Sequence, residues 1–257
     1  MSLTKFVLRF AAPPPQIESF ERYLFLGPHP DDIEIGAGAT AAKLAAAGKQ
    51  VSFLICTDGR YGFEHAPAGM TPEELIEIRK KEAIASAKAL GVEDVRFLGL
   101  CDGGFYEQEE LLEGIARTVG ELQPQLIFAP DPDVSSECHV DHRRAGECAK
   151  RIGFFAPFRE IMERYGAAKA PVEAVALYMT AKPNRFVKTP GLLPRQLDAL
   201  FENHKSQFPA GCADAKSIAL YLKLRSADFG VRTLCGAAEG FRVLGRTQMH
   251  CLSEAGD

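Results

Sequence analysis

Two short clusters, His29-Pro30-Asp31-Asp32 and His139-Val140-Asp141-His142, hold the residue types of this chain best suited to chemistry, and about 110 residues separate them. A catalytic zinc takes three protein ligands from His, Cys and carboxylate and keeps its fourth position open for water. A His and a carboxylate from the first cluster, completed by a His from the second, would make such a set. Either Asp31 or Asp32 can coordinate while the other stays free. The free carboxylate would lie within reach of the bound water, whose pKa zinc lowers to about 7, and could take its remaining proton as a general base. His139 and His142 are three apart, so their rings share a face if Val140 to Arg144 opens a helix. One can then bind metal while the other faces a substrate. Taken singly, each cluster has a plainer use, the Asp pair as a helix cap and the His pair as solvated loop. Their occurrence together favours chemistry.

Both clusters follow apolar runs of the kind that form buried strands. Tyr23 to Gly27 reads as a strand, Gly36 to Ala47 as an Ala-rich helix stopped by Gly48, and Val51 to Cys56 as a second strand. Thr71-Pro72-Glu73-Glu74 carries an N-cap, an N1 proline and a capping-box Glu, and opens a helix that ends near Gly91. Strands at Val95 to Leu98 and Leu126 to Ala129 flank a helix from Glu109 to Leu122. Beyond the second cluster the pattern predicts a helix from His142 through Arg151, a strand at Val172 to Met179, and helices at Pro194 to His204 and Ala213 to Leu224. This alternation predicts an α/β fold with a mostly parallel, Rossmann-like sheet and helices on both faces. In such sheets ligands bind beyond the carboxyl ends of the strands, where both clusters fall. The long loops Thr57 to Met70 and Pro130 to Asp141 leave the same edge, and loops of that length are usually functional. One domain spanning 1–257 is expected, with an extended lead-in over 1–20 set by Pro13-Pro14-Pro15 and a variable C-terminal part over 150–257.

The 257 residues carry a net charge of -4 with no basic run, which argues against nucleic acid as a partner. The longest apolar runs, such as Val51 to Cys56, fall far short of the roughly 20 residues that span a bilayer. The start, Met1 to Phe10, lacks the h-region and cleavage site of a signal peptide. Seven scattered cysteines without a C-x-x-C pair read as reduced thiols of a cytoplasmic protein. Cys138 adjoins His139 but reads as a small hydrophobe rather than a ligand, and His65 and His250, without companions in sequence, as surface residues.

Two other chemistries fit part of the pattern. Gly36-Ala37-Gly38-Ala39-Thr40-Ala41 matches the G-x-G-x-x-A of dinucleotide sites, and Asp58 follows about 20 residues on. That fingerprint needs its glycines in the turn directly after the first strand. Here Gly27 to Ile35 intervene and would set carboxylates against a pyrophosphate, so the glycines read as close packing at a helix start. His29, Asp31 and His142 also spell the two-His, one-carboxylate triad of non-haem iron oxygenases. Iron therefore stays open as the metal, but the extra Asp and His suit hydrolysis better.

Taken together, these residues resemble the PIG-L/LmbE-like zinc-dependent N-deacetylases, whose signature is A-H-P-D-D-x-E followed far downstream by H-P-D-H. The chain has Pro28-His29-Pro30-Asp31-Asp32-Ile33-Glu34, Thr57-Asp58-Gly59, Arg79 with Glu82, Phe97-Leu98-Gly99 and His139-Val140-Asp141-His142-Arg143, with a weaker echo at His204-Lys205-Ser206-Gln207. Pro28 stands for the usual Ala and Val140 for the usual Pro. The resemblance implies zinc held by His29, Asp32 and His142, with Asp31 as general base. It further implies His139 as the group that steadies the tetrahedral oxyanion, Asp141 as the carboxylate that orients that ring, and Arg60 as a sugar contact. It implies hydrolysis of an N-acetylglucosaminyl-type substrate to free amine and acetate, and a homo-oligomer, trimer or hexamer.

Overall fold

The computed structural model describes residues 3–252. Seven strands form one sheet in the order β3-β2-β1-β4-β5-β7-β6. The first five are β1 (Arg22–Gly27), β2 (Gln50–Thr57), β3 (Asp94–Leu100), β4 (Leu126–Pro130) and β5 (Ala174–Tyr178), all parallel. β6 (Arg185–Lys188) and β7 (Ala238–Gly245) close the β5 side, with β7 antiparallel to both its neighbours. Sequence periodicity predicts neither of these two. β6 is only four residues long, and β7 carries two glycines and two charged residues; pairing rather than propensity makes them strands.

The central strands bury both faces, as a parallel sheet requires. Tyr23 and Phe25 of β1, Phe53 and Ile55 of β2 and Phe128 of β4 point into one core, while Leu24, Leu26, Leu54, Ile127 and Ala129 point into the other. Phe25 and Phe128 are register partners, and their rings stack with centroids 4.0 Å apart. The first core is covered by α2 (Asp32–Ala46), α3 (Pro72–Leu90) and α7 (Leu193–Asn203), the second by α4 (Gln108–Leu122), α5 (Val140–Phe155) and α6 (Arg159–Arg164). The capping box at Thr71 and Glu74 forms as its spacing predicts, and Gly91 ends α3 in the left-handed conformation. α8 (Ala213–Arg232) runs on eight residues past Leu224, where the pattern ends the helix, and packs Leu222 with Leu200 and Phe208.

The expectation of an extended lead-in over 1–20 is corrected by a helix, α1 (Leu3–Ala11). Leu3, Phe6, Val7 and Phe10 recur at helical spacing, and the proline run governs only the residues beyond α1.

The glycines of the G-x-G-x-x-A stretch lie inside α2, not in the turn after β1. A Cβ on Gly36 would fall 2.2 Å from the Tyr178 ring, and one on Gly38 would fall 2.9 Å from Gln196. They are packing glycines, as their distance from the strand end in sequence implies. The helix kinks at Ala37, which frees the N–H groups of Ala39 and Thr40 to donate to the Glu239 carboxylate at 3.2 and 2.6 Å.

Candidate metal centre

β1 is the point where the strand order turns, with β2 and β3 to one side and β4 and β5 to the other. Such switch points open a crevice at the carboxyl edge. Four connections meet there: Pro28–Asp31 after β1, the loop after β2, Cys101–Glu107 after β3, and Asp131–His139 after β4.

His29 leaves β1 with its ring buried between carboxylates on both sides. Its Nδ1 lies 3.1 Å from Asp32 Oδ2, and its Nε2 lies 3.0 Å from Asp102 Oδ1 and 3.2 Å from Asp141 Oδ2. Burial alone would lower the pKa of His29, but hydrogen bonds to Asp102, Asp141 and Asp32 outweigh it and raise it well above the ordinary value. The other oxygen of Asp32 faces His142 Nε2 at 3.4 Å. Burial opposes the charged form of His142 too, yet Asp32 brings its pKa up to about 9. Asp32 itself is held well below the carboxylate range against its burial by His142 and His29.

Asp32 thus binds two imidazoles at once, through one oxygen each. Nitrogen and oxygen ligands about 2.0–2.2 Å from a tetrahedral zinc lie about 3.3 Å from each other. The 3.1 and 3.4 Å contacts match that spacing. The donor set fits a divalent cation, which would satisfy the carboxylate that the imidazoles' protons otherwise satisfy. By proximity of one ligand atom from each residue, His29 groups with His139 and His142, and with Asp102, His139 and Asp141; Asp32 belongs to neither grouping.

Asp31 is placed differently from its neighbour. Its backbone adopts φ 134°, ψ -25°, a sparsely populated region for a residue with a Cβ that costs about 1–3 kcal/mol. The carboxylate turns to Arg79, whose Nη2 donates to it at 3.2 Å and to Pro30 O at 3.0 Å, while Nη1 donates to Gly59 O. Burial raises the Asp31 pKa to about 6, Arg79 draws it back and Asp32 pushes it up. Such a carboxyl exchanges protons near neutrality.

His139 caps α5 by accepting the Asp141 N–H at Nδ1, 3.3 Å away. In the neutral ring this leaves Nε2 as the donor. Burial and then the neighbouring charges of His29 and His142 lower its pKa, which favours that neutral form. The Asp141 carboxylate lies 3.7 Å from the His139 ring, beyond hydrogen-bond range, and accepts instead from His29 and from Gly103 N at 2.8 Å. The backbone of Asp141, rather than its side chain, orients His139. Arg60 is paired with Asp58 through Nε and Nη2 and makes no described contact with the histidine cluster.

Three groups that sequence reasoning leaves without a role complete the centre. Asp102 holds His29, with its pKa lowered to about 2 as the His29 bond outweighs burial. Glu137 accepts from the His139 backbone at 2.8 Å and faces His142 Nδ1 at 3.0 Å, so one carboxylate ties the His139 backbone to the His142 ring. Arg79 buttresses Asp31. Of these only Arg79 stands in a recognisable motif. Outer carboxylates of this kind fix the tautomer and direction of ligand histidines.

A profile of the PIG-L family, described as GlcNAc-PI de-N-acetylase, matches residues 24–152, the stretch that carries every residue of this centre. The chain belongs to the PIG-L family. It is 32% identical over 192 residues to the diacetylchitobiose deacetylase of Thermococcus kodakarensis, covering 74% of this chain and 71% of that one. The N,N'-diacetylchitobiose deacetylase of Pyrococcus horikoshii, solved with the inhibitor MPG, superposes with a TM-score of 0.83 at 30% identity, over 97% of this chain and 92% of the other. The 1D-myo-inositol 2-acetamido-2-deoxy-alpha-D-glucopyranoside deacetylase of Kineococcus radiotolerans is 31% identical over 67% of this chain, which spans only 55% of that relative. These PIG-L relatives are named deacetylases, hydrolases of an amide bond.

Proposed function

We propose that this protein removes the acetyl group from an N-acetylated amino sugar of the N-acetylglucosamine type, giving free amine and acetate, with zinc held by His29, Asp32 and His142. The observation that carries the reading is the contrast within Asp31-Asp32. One carboxylate bonds two imidazoles, one through each oxygen, and the next is buried against Arg79 and shifted toward neutrality. That is the division an amide hydrolase needs.

A metal bound there supplies a Lewis acid for the amide carbonyl and acidifies a water molecule. Asp31, ionised, takes the proton from the attacking water as the carbon–oxygen bond forms. His139, donating through Nε2, meets the charge that develops on the carbonyl oxygen. Asp31, now protonated, returns its proton to the sugar nitrogen as the carbon–nitrogen bond breaks, and leaves ionised for the next turnover. Asp102 and Asp141 hold the His29 ring throughout, and Glu137 holds His142. Arg60, held by Asp58, would serve as a contact for the sugar.

A glucosaminyl substrate is inferred from the relatives' substrates and from the family to which the chain belongs. No described helix is long and apolar enough to cross a membrane. The cysteines are free and point to the reducing cytoplasm. The family likeness points further to a trimer or hexamer. The test is a metal assay run alongside a panel of N-acetyl sugars, including N-acetylglucosamine and diacetylchitobiose, scored by free-amine release. Stoichiometric zinc with amine release from at least one glucosaminyl compound is the expected result. Zinc with no release on any of them would favour a protein that binds metal without turnover.

A further inference from the structure

A second group of donor atoms lies at the rim, around His65, which in sequence stands as an isolated surface residue. The fold brings His65, in the loop after β2, against Cys212 and Asp214 at the start of α8, almost 150 residues away. One ligand atom from each lies within 4.8 Å of the other two. His65 Nε2 and Cys212 Sγ are 3.5 Å apart. With Zn–S about 2.3 Å and Zn–N about 2.1 Å, tetrahedral geometry sets sulfur and nitrogen about 3.6 Å apart. His65 and Cys212 are partly buried and Asp214 is exposed, so solvent can complete the coordination.

We propose that His65, Cys212 and Asp214 form a second, thiolate-containing site for zinc or a similar borderline-soft divalent ion. Imidazole and thiolate select such ions over calcium or magnesium. Binding displaces the Cys212 thiol proton to solvent and forms a metal–sulfur bond, with no change in oxidation state.

The location gives the site a consequence. The loop that carries His65 also carries Gly59 and Gly62, which pack against Arg79, the partner of Asp31. Gly62 meets Gln207 from the segment before α8 as well, and Ser206 in that segment bonds Glu82 of α3. A metal across His65, Cys212 and Asp214 would tie the loop after β2 to that segment beside the catalytic cluster. The tie is made by side chains from the loop after β2 and from the start of α8.

Cobalt(II) distinguishes the two sites, because the donors assigned to the catalytic centre are nitrogen and oxygen only and a thiolate ligand adds an intense near-ultraviolet charge-transfer band. The first cobalt equivalent added to the metal-free full chain should give visible d–d bands without that feature. The second should bring the charge-transfer band in at full strength. Cys212→Ser and His65→Ala should each abolish the band and at least halve retention of the second equivalent after gel filtration, leaving the first equivalent's spectrum intact as proof of folding. Cys138→Ser, beside His139, should leave the band unchanged. Failure to hold a second equivalent, a band that survives Cys212→Ser, or a band lost in Cys138→Ser would overturn the proposal. None of these outcomes depends on whether the protein turns over a sugar.

Discussion

The catalytic cluster and the C-terminal part of the same sheet use buried charge in opposite ways. Around His29, each buried carboxylate faces an imidazole or a guanidinium, and the groups shift one another's pKa in both directions. In the C-terminal part, Glu239 of β7 is partly buried; it takes two backbone N–H bonds from the kinked α2, and desolvation leaves its pKa up at about 7. The first arrangement favours ionised groups and readies them for chemistry. The second fixes the helix that starts at Asp32 and tolerates a carboxyl that is only partly ionised at neutral pH. In the proposed mechanism polar burial at the strand ends serves the reaction, whereas polar burial behind α2 serves the frame.

Replacements on the two sides should separate activity from stability. If His139 steadies the oxyanion as proposed, His139→Ala should lower kcat by about 10²–10³, with metal content unchanged. Steady-state kinetics on the best substrate from the panel, beside metal analysis, checks this. Glu137→Gln keeps a hydrogen-bonding group against His142 but removes its charge. It should weaken metal affinity or activity by about 10–100-fold, measured by competition with a chelator, while the melting temperature of the metal-free protein barely moves.

Glu239→Gln should do the reverse, leaving kcat near wild type and changing how stability depends on pH. The folded pKa of about 7 lies above the ordinary value of 4.5, so between these values the folded state binds more protons than the unfolded state. The stability contributed by Glu239 is then lost as pH rises from 4.5 to 7 and changes little above. The shift corresponds to at most roughly 3 kcal/mol. Denaturant titrations across that range should show a steeper fall with pH in the wild type than in the variant. Equal pH slopes in the two proteins would undo the contrast between the regions.

The sequence displays one side of this comparison far better than the other. His29, Asp31 and Asp32 are adjacent and follow an apolar run, and His139 and His142 open a helix, so their types and spacing are legible directly. Asp102 is a single aspartate before two glycines, and only the pairing of β3 with β2 brings it to His29. Glu137 reads as an ordinary polar loop residue until the turn before α5 folds it back on both histidines. Asp141 is legible as a member of the cluster but not in its direction, since helix geometry sends its carboxylate to His29 and its N–H to His139. Glu239 sits in a strand that has no periodic signature, and its role depends on a kink at Ala37, far earlier in the chain.

The central claim is the separation of roles between Asp31 and Asp32. Metal content and free-amine release measured together on Asp31→Ala and Asp32→Ala test it most directly. Asp31→Ala should retain zinc at the wild-type stoichiometry and lose at least about 10² in rate, as expected for a general base, whereas Asp32→Ala should lose the zinc itself. An Asp31→Ala protein that turns over at near the wild-type rate, or an Asp32→Ala protein that keeps stoichiometric zinc, would contradict the account.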